Sequence, residues 1–163
     1  MKSASFAALA TNVFSTLHSQ SLSRTVDFWD ETALDLTAGR FPFSGKKLSE
    51  AEAETLRATA SIAVYDAIDA VLHEGVSIFY QSRSLATTAI GAEAAASQAA
   101  YEVLATYFSN PLDQAELRSR LARRLAAVAD GHEKREGVAT GRASAQVALS
   151  ASHLDLGSTR RAA

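Results

Sequence analysis

The stretch from Ser49 to Leu72 constrains this chain more than any other. Ser49-Glu50-Ala51-Glu52 reads as a capping box, in which the serine hydroxyl takes the backbone N–H of Glu52 and the Glu52 carboxylate reaches back. Glu50, Glu52 and Glu54 place negative charge in the first turn, where the helix dipole favours it. Leu56, Ala60, Ala63, Ala67 and Val71 recur at helical spacing, and Ile62, Val64, Ile68 and Leu72 add apolar surface on other sides. A helix apolar around so much of its circumference belongs inside a protein. Gly75, which accepts the left-handed conformation, reads as its stop. From Ser49 to Glu74 such a helix runs ~39 Å at ~1.5 Å per residue, enough to cross a small domain.

The rest of the chain supplies helices to surround it. Val26, Trp29, Ala33 and Leu36 form the stripe of an earlier helix, capped by Ser23 or Thr25 and ended by Gly39. Ala92, Ala95, Ala96, Ala99, Ala100, Val103 and Leu104 form an alanine-rich helix between Gly91 and Phe108, which neighbours can approach closely. Pro111 suits the first turn of the next, with Leu117, Leu121, Leu125 and Val128 as its stripe and Gly131 as its end. The last helix spans about Glu133 to Ser152, and its Gly137, Gly141 and Ala145 leave one face nearly bare backbone, a mark of tight helix packing. With only two prolines in 163 residues, the expectation is an all-α, single-domain bundle of five or six helices around the buried helix at about 49–74. Residues 1–20 read as a short amphipathic helix on Phe6, Leu9, Val13 and Leu17 or a degenerate signal peptide, 21–155 as the helical domain, and 156–163 as a frayed tail. The irregular stretch between Gly75 and Gly91 is long enough to be functional or docked on the bundle, with Val76, Ile78, Phe79 and Tyr80 as a short extended piece.

Composition narrows the chemistry. The absence of cysteine rules out disulfides, thiolate zinc sites and cysteine catalysis. A net charge of -2 gives no field that draws nucleic acid, and no apolar run reaches the ~20 residues of a membrane span. Compartment is open: a cytoplasmic location is the default, with export if residues 1–20 are a signal.

Each sharp motif has a plainer reading. Gly39 to Gly45-Lys46 has five residues between its glycines where a phosphate loop needs four, and Lys47 where it needs a hydroxyl, so an inter-helix turn is expected. His132-Glu133-Lys134-Arg135-Glu136 opens like a zinc-protease helix, but Glu136 stands where the second histidine belongs, and His18, His73 and His153 are scattered. Asp27, Asp30, Glu31 and Asp35 read as the exposed side of their helix, with paired catalytic carboxylates as the alternative. Arg118, Arg120, Arg123 and Arg124, without interleaved aromatics, read as a solvated face. Asp66 sits within an apolar run beside Tyr65 and needs partners if buried: helix N–H groups, or an arginine such as Arg57 or Arg142. Trp29, Tyr65, Asp66, Gly141 and Arg142 are the structural candidates, and no residue is nominated as catalytic, cofactor-binding or metal-binding.

The order of these motifs carries a resemblance. Ala63-Val64-Tyr65-Asp66-Ala67-Ile68-Asp69-Ala70 resembles the tyrosine-aspartate-alanine helix in the N-terminal half of bacterial vanadium-dependent haloperoxidase-like proteins, members of the type 2 phosphatidic acid phosphatase superfamily. Trp29 through Ala33 is similar to that family's opening tryptophan helix. Ala92-Glu93-Ala94-Ala95 with Ala99-Ala100-Tyr101 and Leu104 is similar to its alanine-rich helix. Asp130-Gly131, Lys134, Gly137, Gly141-Arg142-Ala143-Ser144-Ala145 and Asp155 resemble the segment that closes that half. The resemblance implies a helical scaffold half without the vanadate or phosphate site. That site is built in the other half from a lysine, an arginine-proline, a serine-glycine-histidine, an arginine and a histidine. It also implies inactivity alone, vanadate only if the missing half is supplied, and a surface left open for that half. The alternative is an independent interaction module that forms a homodimer or docks a partner. The Gly137, Gly141, Ala145 face and the alanines of 91–108 are expected to form part of the surface left open by the missing half.

Overall fold

Ser49 caps the helix it was expected to cap. Its Oγ accepts the Glu52 N–H at 3.3 Å, and its own N–H donates to Glu52 Oε2 at 2.9 Å. The computed structural model describes residues 20–160 apart from Phe41 and Lys46, with side chains as far as Ser152. The amphipathic or signal reading of 1–20 therefore falls, but for Gln20, outside the described residues, as do Lys46 of the turn and the side chains of His153 and Asp155.

Five helices make up the described regular structure: α1 Gln20–Thr37, α2 Glu50–Leu72, α3 Ala89–Tyr107, α4 Pro111–Ala126 and α5 His132–Arg160. The fold is an all-α bundle, as the periodicity requires. α2 is buried along most of its length, with Ala63 and Ala67 wholly inside. It shares the centre with α3, which touches all four other helices. Alanine explains this: ten residues of α3 between Ala92 and Leu104 are completely covered, or nearly so, and small side chains let neighbours close in from every side.

The α3–α5 seam is the tightest contact. Gly137 lies against the Gly91 carbonyl and Gly141 against the Ala95 carbonyl, so the two helices run parallel in register. A Cβ on Gly141 would stand 2.9 Å from Gln98 Cβ and closer still to the Ala95 oxygen. The face expected to lie open is thus filled by the alanines that were expected to lie open beside it. Each satisfies the other inside one chain. α2 runs antiparallel to α5, tied by Ser144 Oγ donating to the Ala63 carbonyl at 2.8 Å.

Helix ends differ from expectation in two places. α1 continues upstream through Ser23 and Thr25, because Leu22 joins Val26 and Trp29 in the buried stripe. The left-handed residue closing α2 is His73 (φ 56), whose N–H donates to the Asp69 carbonyl at 2.7 Å, not Gly75. Gly75 is needed for room: a Cβ there would stand 2.5 Å from the Tyr65 hydroxyl. Gly39 (φ 64) ends α1 as expected, and Asn110 caps α4 through the Leu112 N–H at 2.8 Å with Pro111 behind it. α5 extends in backbone to Arg160, past the expected Ser152.

The arginine cluster is not a uniform solvated face. Arg118 and Arg123 are exposed, but Arg120 and Arg124 fold onto α1. Arg120 Nη1 donates to Thr32 Oγ1 at 2.9 Å, and Arg124 Nη2 donates to Thr25 Oγ1. The guanidinium of Arg120 lies 4.9 Å from the Phe43 ring centre, and that of Arg124 5.4 Å from Phe28. Each threonine already donates to its own helix backbone, leaving an oxygen lone pair that accepts from the arginine on its long stem.

Candidate functional site

Four carboxylates organise the loops of this bundle, and three of them converge on the connection between α2 and α3. Asp66 is buried in the middle of α2 and accepts three consecutive backbone N–H groups: Ile78 at 2.6 Å, Phe79 at 2.7 Å and Tyr80 at 2.8 Å. Its partner is therefore the loop itself. Arg57 donates instead to the Ala53 carbonyl, and Arg142 pairs with Glu102 at 3.2 Å. Successive N–H groups turned to one side make an anion-holding concavity, and here the anion is a side chain of the same protein. Asp69, one turn on, accepts the Gly75 N–H at 2.5 Å and the Ser77 hydroxyl at 2.7 Å.

The far end of the loop is held by α5. Glu133 Oε2 accepts the N–H groups of Thr87 and Thr88 and the Thr88 hydroxyl, at 2.9, 2.9 and 2.7 Å. Thr88 itself makes no side-chain cap, so the glutamate caps α3 from another helix. This is what the protease-like His132-Glu133 start does in the fold. Among the described residues no group of three or more histidine, cysteine or acidic side chains is arranged to hold a metal. Between the two anchors, the Ser84 N–H donates to the Ala70 carbonyl at 2.9 Å, and the Ser84 and Thr140 hydroxyls meet at 2.5 Å.

The Thr88 hydroxyl is the main reason the Glu133 carboxyl is held below its usual 4.5, against the opposing effect of burial, with the Thr87 and Thr88 N–H groups adding to it. A depressed folded-state value means stability that is present above about pH 4.5 and lost as pH falls through the lower value. Glu133→Gln is therefore expected to lower the melting temperature at neutral pH. The gap between mutant and parent should close as both are taken below pH 4.5. A gap that stays constant down to pH 3 would show that the carboxylate is not the cap.

The fourth carboxylate explains the Gly39–Lys46 turn. Asp113, buried in the first turn of α4, accepts the Ser44 N–H and the Ser44 hydroxyl, both at 2.7 Å. A loop whose N–H already holds a carboxylate is an inter-helix turn, as expected.

With its backbone so fixed, the α2–α3 loop points apolar side chains outward. Val76 is 84% exposed and Leu85 72%, while Ile78 and Phe79 are close to half exposed. Phe79 also walls a groove of ≈ 440 Å³ between α2 and α5, lined further by Ala51, Thr55, Ala58, Ile62 and Ala148. A second, smaller depression of ≈ 250 Å³ is bordered by Asp69, His73, Gly75, Gln81, Ser82 and Arg83. No extended strand forms at 76–80, where the N–H groups of Ile78, Phe79 and Tyr80 are taken by Asp66.

The other nominated residues are dispersed. Trp29 is fully buried in α1, edge-on to Phe28 at 5.3 Å. Tyr65 is buried in α2 with its hydroxyl against Gly75, and Gly141 lies in the α3–α5 seam. Asp27 and Glu31 are exposed on α1, and Asp35 bridges to Arg40 at 3.2 Å. Of the nominated set, the structure brings Tyr65 and Asp66 to the loop. Sequence reading missed Asp69, Glu133 and Asp113, whose partners lie on distant or irregular segments. Comparison with known protein families, with curated proteins and with solved structures finds no match to this chain. No helix among the described residues is long and apolar enough to cross a membrane.

Proposed function

We propose that this chain works as a helical docking module, presenting the α2–α3 loop and the adjoining α2/α5 groove to another protein surface. The observation that carries this reading is the combination at Phe79 and its neighbours. The backbone is locked by Asp66 and Asp69, while the apolar side chains on it face solvent. A loop that only joined two helices would gain by turning those side chains inward, since burying a residue such as Phe or Leu is worth ~1.5–3 kcal/mol. Rigid presentation of apolar groups lowers the ordering cost of association instead. Photo-crosslinking tests this in cells that make the protein. A photoreactive residue at Phe79 or Leu85 should give a discrete protein adduct, and one at the exposed Arg118 should not. Absence of an adduct from either loop position, or equal adducts from Arg118, would overturn the reading.

The haloperoxidase-like resemblance fits within it as a second reading, supported by the order of the sequence motifs quoted above. On that reading the docked protein is the catalytic half, and this chain is inactive alone. Tight binding of an oxyanion needs several converging cationic or N–H donors. In this fold the loop N–H groups that converge are already on Asp66. Vanadate is accordingly expected to leave the melting temperature of the isolated chain unchanged. A native-state ligand at 100 times its dissociation constant would add ~2.7 kcal/mol and be plain in the melt. A vanadate-dependent rise, or halide oxidation with peroxide, would refute this.

A further inference from the structure

The N–H groups of Ile78, Phe79 and Tyr80 form an anion receptor, and the ligand in it is Asp66 of the same chain. We infer that this receptor outlasts its tethered ligand. Once the Asp66 carboxylate is deleted, the receptor takes up a free monocarboxylate matched in size to the missing group. The inference stands apart from the docking reading.

The loop around the receptor is held by contacts that do not involve Asp66. On one side Asp69 accepts the Gly75 N–H and the Ser77 hydroxyl at 2.5 and 2.7 Å. On the other, the Ser84 N–H donates to the Ala70 carbonyl at 2.9 Å, and the Ser84 and Thr140 hydroxyls meet at 2.5 Å. Glu133 then fixes Thr87 and Thr88. Residues 78–80 are a short span between the ties at Ser77 and Ser84, which limits the ordering cost of refilling the site.

The space that Asp66 leaves has the chemistry of an anion site. Asp66 is 1% exposed, so truncation to alanine empties a volume the size of one carboxylate inside the fold. Three N–H donors aim into it, now 2.6, 2.7 and 2.8 Å from the carboxylate oxygens. Water can enter as a competitor, but it is neutral. Hydrogen bonds to an ionised acceptor are roughly twice as strong as neutral ones, and successive N–H groups favour an anion. A bound carboxylate also restores the one negative charge that the substitution removes. The neighbouring carboxylate on α2, Asp69, keeps its own partners in Gly75 and Ser77.

Size provides the test. Asp66→Ala lacks the carboxylate alone, which formate replaces. Asp66→Gly lacks the β-carbon as well, and acetate replaces the whole side chain. Melts of the full chain are compared in sodium formate, acetate and chloride at equal ionic strength. Formate should raise the melting temperature of Asp66→Ala most, and acetate that of Asp66→Gly. The parent, whose receptor is filled, should show neither preference. Ligands of three or four heavy atoms reach about millimolar affinity at best, so the titration runs upward from ~1 mM. At ten times the dissociation constant, amide exchange at Ile78, Phe79 and Tyr80 should slow about tenfold by mass action. Formate and acetate acting alike on both variants, or a response no larger than the parent's, overturns the inference, since either is a general salt effect. A variant that does not fold in chloride is refolded from urea in its matching carboxylate. Return of the helical signal supports the receptor, and its failure to return overturns it.

Discussion

Replacing Gly141 with leucine is expected to destabilise this protein severely. The Cβ alone would press into the Ala95 carbonyl and stand 2.9 Å from Gln98 Cβ. The first of these is backbone of a helix that touches every other helix, so it cannot step aside locally. Leucine adds three more carbons where there is no room. Overpacking of a dense core costs ~1–3 kcal/mol and occasionally more, and this seam is at the upper end because α3 and α5 must separate along their length. A loss of ~3 kcal/mol would lower the melting temperature by roughly 6–12 °C in a chain of this size. Gly141→Ala should fall part-way. A leucine variant that melts with the parent would mean that the two helices do not meet at Gly141.

Asp66→Ala is expected to cost about as much and to act by another route. It removes the acceptor for three N–H groups at once, and each buried donor left unpaired costs ~1–3 kcal/mol. Water can reach part of this loop, so a total of ~3 kcal/mol is expected rather than the sum. The loop should loosen with it. Amide exchange at Ile78, Phe79 and Tyr80 should quicken far more than exchange in α3, and the Phe79 crosslink should fade even at temperatures where the bundle stays folded. Asp66→Asn, which keeps one carbonyl oxygen, should be milder. Uniform acceleration across all helices would mean that Asp66 supports the bundle and not the loop.

These two positions show which parts of the structure are legible in the sequence. Ser49 with Glu52 and Pro111 in the first turn of α4 are read correctly, because each signal and what it acts on lie within a few residues of one another. The small face of Gly137, Gly141 and Ala145 announces close packing, but nothing in it says whether the neighbour is in the same chain. The alanines of α3 fill that place, so the face expected to lie open is closed within the chain. Asp66 is legible as a buried carboxylate in want of partners. That those partners are N–H groups 12 to 14 residues downstream is not, because irregular backbone has no period. Glu133 lies 45 residues from the threonine it caps, and Arg120 and Arg124 lie 88 and 99 from theirs. At such separations a charge on a helix face looks the same whether it meets solvent or a hydroxyl.

The way α4 is attached sets where the molecule opens first. Only Asp113 and Leu117 are buried on it, Leu121 packs partly against the core, and the remaining grip is polar: the Ser44 clamp at one end and two guanidinium groups laid over α1 toward the other. Helices with few buried apolar contacts are the ones released in partial unfolding. Lifting α4 would strand Leu117 and the partly buried Leu121 and would leave the α2–α3–α5 core paired. The native state therefore has a neighbour in free energy, a four-helix form with one strap undone. Salt and mild denaturant, which weaken ion and hydroxyl contacts before they weaken packed alanines, would populate that form ahead of global melting.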